Sequence, residues 1–216
     1  GALKKNFAGL FLLGGDDVHP AVHGTPDPGG RVEKPNFSRD SEEMKLVRSF
    51  ILDEDSPAFV SAVCRGHQLT AAAAGCRLVI DLEADLGVHH PRHRDHLITV
   101  LDDRAGTLTE QFFGGDKRID VMSNHHQAVV DPGPGHPLVK VTAISEEGLT
   151  EVIEYRNGRG LTTQTHPELM PGSGPHRRFF DLIYERVAKA HGAMGGASAP
   201  IRLRGGGCGV WFSRVR

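Results

Sequence analysis

The stretch "AFVSAVCRGHQLTAAAAGC", residues 58–76, constrains this chain more than any other. Small and apolar residues run without a break into Cys64, and from Arg65 the sequence turns to helix formers as far as Gly75. The pattern small-x-Cys-x-Gly, here Ala62-Val63-Cys64-Arg65-Gly66, is that of a nucleophile elbow, in which a buried strand turns sharply into a helix at the nucleophile. Small residues two before and two after the thiol let strand and helix pass closely while Cys64 takes a strained backbone conformation. The thiol then faces the positive end of the 65–74 helix, which favours thiolate over thiol. The N–H of Arg65 is left to bind a developing oxyanion. A buried cysteine packed as a small hydrophobe fits the same residues, and on 61–66 alone the two readings stand level.

The rest of the chain builds an α/β protein around that corner. Residues 7–13, "FAGLFLL", form a short apolar run ending at Gly14-Gly15, as expected of a strand buried on both faces of a parallel sheet. A Pro/Gly-rich loop follows over 19–36. Asp40 and Glu43 have the form of a helix N-terminal capping pair, with Met44, Val47, Phe50 and Ile51 as the buried stripe and Pro57 as the stop. Strands are expected at 58–63, 96–101 and 119–122. Residues 138–144 and 151–155 alternate as half-exposed antiparallel strands do. Residues 175–190 make an amphipathic helix on Phe179, Leu182, Ile183 and Val187. The expected fold is α/β with a mainly parallel sheet, one domain over 1–190. The glycine-rich segment 191–216 lacks an apolar period and is expected to be a flexible tail.

Bulk properties exclude several classes. A formal charge of −2 gives no electrostatic case for nucleic acid or an anionic membrane. No apolar run approaches the ~20 residues that span a bilayer. Three cysteines without a CxxC pair argue against a disulfide framework, so a cytoplasmic protein is expected. Cys76 is expected in the core and Cys208 exposed in the tail. The string "HHPRHRDH", residues 89–96, holds four histidines without zinc-type spacing to partner ligands, and a solvated loop is the expectation there.

A second stretch, "TQTHPEL", sets His166 and Glu168 two apart at the end of an expected strand. A period of two would turn both to one face, so that the carboxylate orients the imidazole. Cysteine, histidine base and orienting acid make a thiol acyl-transfer triad. By itself His-Pro-Glu reads first as a surface turn.

"CRGHQL" with "THPEL" about a hundred residues later resembles the class I glutamine amidotransferase superfamily. "GLFLLGGDDVHPAVHG" is similar to that family's strand and glycine loop, and "VMSNHHQAV" (121–129) to the Ser-x-x-His-His-Gln-Ala-Val stretch of its gamma-glutamyl hydrolase branch. The resemblance covers roughly residues 7–190 and implies a three-layer flavodoxin-like sandwich. It implies Cys64 as nucleophile, His166 as general base and Glu168 as the group that orients it. It further implies an oxyanion hole from the N–H groups of Gly15 and Arg65, and a glutamyl head-group site at Gln68 and the backbone around His125, His126 and Gln127. No metal or organic cofactor is implied; the partner is a small gamma-glutamyl substrate such as gamma-glutamyl-gamma-aminobutyrate. Other branches of the superfamily are glutaminase subunits passing ammonia to a synthase, and that alternative stays open, as does an inactive truncated homologue. Four departures stand out: Ala62 where the family has glycine, Thr165 where it has an aromatic residue, a start at what would be the third strand, and the glycine-rich tail. Without a preceding strand–helix–strand, residues 7–13 would be an exposed edge, and self-pairing into a homodimer is expected there.

Overall fold

The computed structural model describes residues 7–27, 29–90, 92–101, 107–195, 203–205 and 210–214. Cys208 lies outside them. At the centre, β1 (Phe7–Leu12) and β2 (Phe59–Val63) are parallel neighbours, with Leu10 opposite Val60 and Leu12 opposite Ala62. On the far side of β2 lies β9 (Gly160–Thr163), also parallel. Cys64 therefore leaves the middle strand of a parallel trio at its carboxyl end, the edge at which open α/β sheets bind ligands.

Outside that trio the sheet is antiparallel, which corrects the expectation of a mainly parallel sheet to a mixed one. Strand β8 (Thr150–Tyr155) pairs β9, β7 (Val139–Ser145) pairs β8, β4 (Arg94–Val100) pairs β7, and β5 (Arg118–Ser123) pairs β4. The connections 146–149 and 156–159 are too short for a parallel crossover, so they force hairpins. Two-residue strands β3 (Leu78–Val79) and β6 (Ala128–Val129) pair with each other, and β6 also meets β8.

The other side of β1 corrects two further expectations. Strand β11 (Val210–Arg214) pairs antiparallel with β1, and β10 (Leu203–Gly205) pairs with β11. Residues 7–12 are thus no edge, which removes the ground for self-pairing through them, and segment 191–216 is not wholly without structure. The chain's own Val-Trp-Phe run, of strand-forming residue types, satisfies the backbone groups that β1 would otherwise expose.

Alternation along the central strands sorts the core into two layers. Leu10, Leu12, Val60 and Ala62 pack with Met44, Val47, Phe50 and Ile51 of α2 (Phe37–Ile51) and with Leu69 of α3 (Arg65–Ala73). Phe59 and Val63 turn the opposite way, and Ala8 joins them where the register of β1 shifts between Phe7 and Gly9. They pack on Leu108, Phe112 and Phe113 of α5 (Leu108–Phe113) and on Phe179, Leu182 and Val187 of α6 (Gly174–Ala193). Helix, sheet and helix are the three layers. The short helices α1 (Pro20–His23) and α4 (Leu82–Leu86) lie in the loops that face the Cys64 end of the sheet.

Two local readings change. Helix α2 is capped by Asn36, whose side chain accepts from the Arg39 N–H at 3.0 Å, so Asp40 and Glu43 are interior residues and not a cap. Strand β8 is buried along its whole length instead of half exposed. Its acidic residues find internal partners: Glu154 accepts from the Thr109 N–H and hydroxyl at 2.6 and 2.7 Å, and Glu151 meets His96 at 3.2 Å.

Candidate active site

Cys64 sits between β2 and α3 with φ 48° and ψ −114°, a conformation that L-residues rarely adopt. Such strain is of order 1–3 kcal/mol and persists only where the surroundings over-determine it. Here the Cys64 N–H donates to the Thr163 carbonyl at 2.8 Å, and its carbonyl accepts from the Gln68 N–H at 3.1 Å. Gly66 allows the close approach: a Cβ on it would stand 2.7 Å from both Cβ and O of Leu12, at the end of β1. The small residue two after the thiol is thus a steric requirement of seating α3 against β1.

His166 enters from β9. Its N–H donates to the Met122 carbonyl at 3.1 Å, and its Nδ1 lies 2.6 Å from Glu168 Oε1. The pairing does not come from strand alternation, because β9 ends at Thr163 and Pro167–Leu169 form a 3-10 turn. Pro167, with no N–H and a fixed φ, ends the extended run, and the turn swings Glu168 back onto the imidazole. A Cβ on Gly14 would lie 3.4 Å from His166 Cε1 and 3.5 Å from Cys64 Cβ, so this glycine backbone runs beside both groups. Burial alone would lower the His166 pKa; interaction with Cys64 and with Glu168 outweighs it and raises the value to about 10. The Cys64 Sγ lies 3.9 Å from the Asn124 carbonyl, and His166 Nε2 is buried without a hydrogen-bond partner.

Arg65 is the first residue of α3, so its N–H has no carbonyl one turn back to bond. Its guanidinium is buried and held by Glu43 Oε2 at 2.6 Å and by Asp40 Oδ1. The other Asp40 oxygen accepts from the His19 N–H at 2.7 Å. One carboxylate on α2 thereby ties the loop after Gly15 to the residue after Cys64.

Gly15, Cys64, Arg65, Gln68, His125, His126 and His166 line one cavity of about 300 Å³, joined there by Asp16, Asp17, Glu33, Arg92, His93 and Asn124. Gln68 donates from Nε2 to the Gln127 carbonyl (3.2 Å) and to Gln164 Oε1 (3.1 Å). His126 is anchored by Asp17 at 2.7 Å, which raises its pKa against the opposing effect of burial. Gln127, expected at the head-group site, does not line the cavity; it is fully buried, and its carbonyl is taken up by Gln68 and by His125 Nδ1 at 2.9 Å. A second cavity of about 450 Å³ shares Glu33, Arg92 and His126 with the first and continues past Asp81, Glu83 and His90.

The 89–96 string is not simply a solvated loop. His89 is exposed, but His90 and His96 are buried, His90 bonding Ser123 Oγ at 2.9 Å and packing on the His125 ring at 4.4 Å. Cys76 is buried as expected, and burial pushes its thiol up to about 11. Sequence reasoning gave no role to Asp17, Glu33, Arg92 and Asn124, although Asp17 and Asn124 lie within the two family-like stretches and Arg92 within the 89–96 string. It also missed Glu151, whose partners are remote in the chain.

The Peptidase C26 family profile matches residues 2–168. A Schizosaccharomyces pombe protein provisionally named a glutamine amidotransferase is 29% identical over 178 residues, covering 81% of this chain and 67% of that protein. The carbamoyl phosphate synthase small chain of Xylella fastidiosa is 30% identical over 141 residues, 65% of this chain. The chain spans 31% of that relative's length. Among solved structures, a Thermoplasma acidophilum protein provisionally described as one component of GMP synthase superposes with a TM-score of 0.59 at 20% identity. The superposition covers 87% of this chain and 76% of that one. At that identity the likeness speaks to fold alone. No helix among the described residues is long and apolar enough to cross a membrane.

Proposed function

The chain belongs to the Peptidase C26 family, of class I glutamine amidotransferase type, and on that premise we propose that it hydrolyses gamma-glutamyl amides through a thioester on Cys64. The observation that carries this reading is the union, at one cavity, of a thiol on a strained elbow with an imidazole whose far nitrogen is fixed 2.6 Å from a carboxylate. In the proposed cycle Cys64 attacks the gamma-carbonyl carbon, and the oxyanion is held by the N–H groups of Gly15 and Arg65. Losing one such donor typically costs ~3 kcal/mol of barrier. His166, as imidazolium, protonates the departing amine; it then takes a proton from water, whose oxygen attacks the thioester and releases glutamate. Glu168 holds the tautomer and orientation of His166. The oxygen of Gln68, with its amide protons already engaged, and the groups around His125 and His126 receive the glutamyl head group.

A second reading has its own support. The similarity to carbamoyl phosphate synthase small chains favours a glutaminase unit that feeds ammonia to a synthase. Glutamate release by the purified chain separates the two. Turnover of gamma-glutamyl-gamma-aminobutyrate without a partner is expected, falling by ~10⁴-fold in Cys64→Ser. Hydrolysis of glutamine alone, and only with a synthase present, would favour the second reading.

A further inference from the structure

We propose that His90, His96 and Glu151 form a zinc site beside the Cys64 cavity, distinct from the triad and structural in role. The three residues come from the segment before β4, from β4 and from β8, and each brings a ligand atom within 4.8 Å of the other two. All are buried: 8, 9 and 0% exposed. Two imidazoles and a carboxylate are a zinc donor set, and ligands about 2.0–2.2 Å from a tetrahedral ion lie about 3.3 Å apart. His96 Nε2 and Glu151 Oε1 are 3.2 Å apart, the edge such an ion would span.

Polar atoms left without partners point the same way. Glu151 Oε2, His90 Nδ1 and His125 Nε2 are buried and make no hydrogen bond, though His90 Nδ1 has the Glu147 carboxylate at 3.7 Å. His125 Nε2 lies 3.9 Å from Glu151 Oε1, which makes it the candidate fourth donor. Metal-bound histidines commonly hold a second partner through the other ring nitrogen. His125 has the Gln127 carbonyl at 2.9 Å from Nδ1, and His90 has Ser123 Oγ at 2.9 Å from Nε2. An ion here would brace β4, β8 and the 123–127 segment against one another, and that segment supplies His125 and His126 to the cavity wall. The site needs no step of the hydrolysis, and it stands or falls apart from that reading.

The test is zinc titration of the chelator-treated full chain against a chromophoric competitor, with cobalt as a spectroscopic probe. One zinc per chain is expected, with tetrahedral cobalt bands lacking thiolate charge transfer. Glu151→Gln and His90→Gln should each weaken zinc at least about 100-fold while far-ultraviolet circular dichroism shows both folded. Cys64→Ser should bind as the parent does. The proposal is overturned if the parent binds no stoichiometric zinc. It is equally overturned if Cys64→Ser abolishes binding while folded Glu151→Gln retains it, because the ion would then sit on the thiol.

Discussion

Two buried polar clusters flank Cys64, and they are built on different principles. On the α2 side, Arg39 and Arg65 face Asp40 and Glu43, two permanent positive charges against two carboxylates. On the β4–β8 side, His90, His96 and His125 crowd around Glu151, groups whose charge depends on where protons sit. A guanidinium cannot shed its proton, so the first cluster is stable only when its charges balance. Both clusters leave buried atoms without a hydrogen bond, but imidazoles can discharge, so in the second these include nitrogen lone pairs open to a cation. The first suits a fixture that must not move, the second a place something else completes.

The largest effect should come from breaking the balanced cluster. Asp40→Ala leaves the buried Arg65 guanidinium with Glu43 as its one remaining carboxylate and frees the His19 loop, so a loss of about 3–5 kcal/mol in urea unfolding is expected, with a fall in kcat. A loss below ~1 kcal/mol would mean that the two clusters do not differ in kind. Next is Gly66→Ala, which drives a methyl group into Leu12 backbone and side chain. A loss of about 1–3 kcal/mol in thermal unfolding should follow, with turnover reduced as the Arg65 N–H shifts. Smaller still is Glu151→Gln in zinc-free protein. Burial already pushes the Glu151 pKa up, and once its carboxylate no longer raises the His96 pKa against the effect of burial His96 can give up its proton, so unfolding should change by less than ~1 kcal/mol. A change matching that of Asp40→Ala would erase the distinction.

The last prediction concerns pH and expects almost no effect over the working range. The His166 pKa is raised, so its proton, and the stabilisation that goes with it, is fully present below the ordinary 6.5 and lost as pH rises through about 10. The alkaline limb of kcat/KM should therefore lie near 10, with no fall in activity as pH rises to about 9. An alkaline limb near 6.5 would show that Cys64 and Glu168 do not hold the imidazolium.

The legibility of each feature tracks how local its cause is. The elbow at Cys64 could be read because Ala62 and Gly66, its steric requirements, are its sequence neighbours. His166 and Glu168 could be paired from sequence although the route was wrong: Pro167 makes a turn where alternation was expected. Asp40 and Glu43 were open to misreading because the residues that cap helices also pair with arginines. The cue lay in Asp40 sharing a helix face with Met44, Val47 and Ile51, where a carboxylate needs a counter-charge. Glu151 was illegible, its contact with His96 spanning 55 residues. The antiparallel pairing of 138–144 with 151–155 was legible in their alternation, and Gly148 and Asn157-Gly158, turn residues between β7, β8 and β9, carried the same signal one strand further.

The backbone at Cys64 has a consequence for anyone evolving this protein. Glycine accepts φ 48°, ψ −114° without the clash that a side chain brings, so Cys64→Gly is a candidate gain in heat resistance. A library sorted only on survival of heating would accumulate that glycine and discard the nucleophile. Selection for robustness and selection for chemistry pull this one codon in opposite directions, and sorting must read out turnover at every round to keep the cysteine.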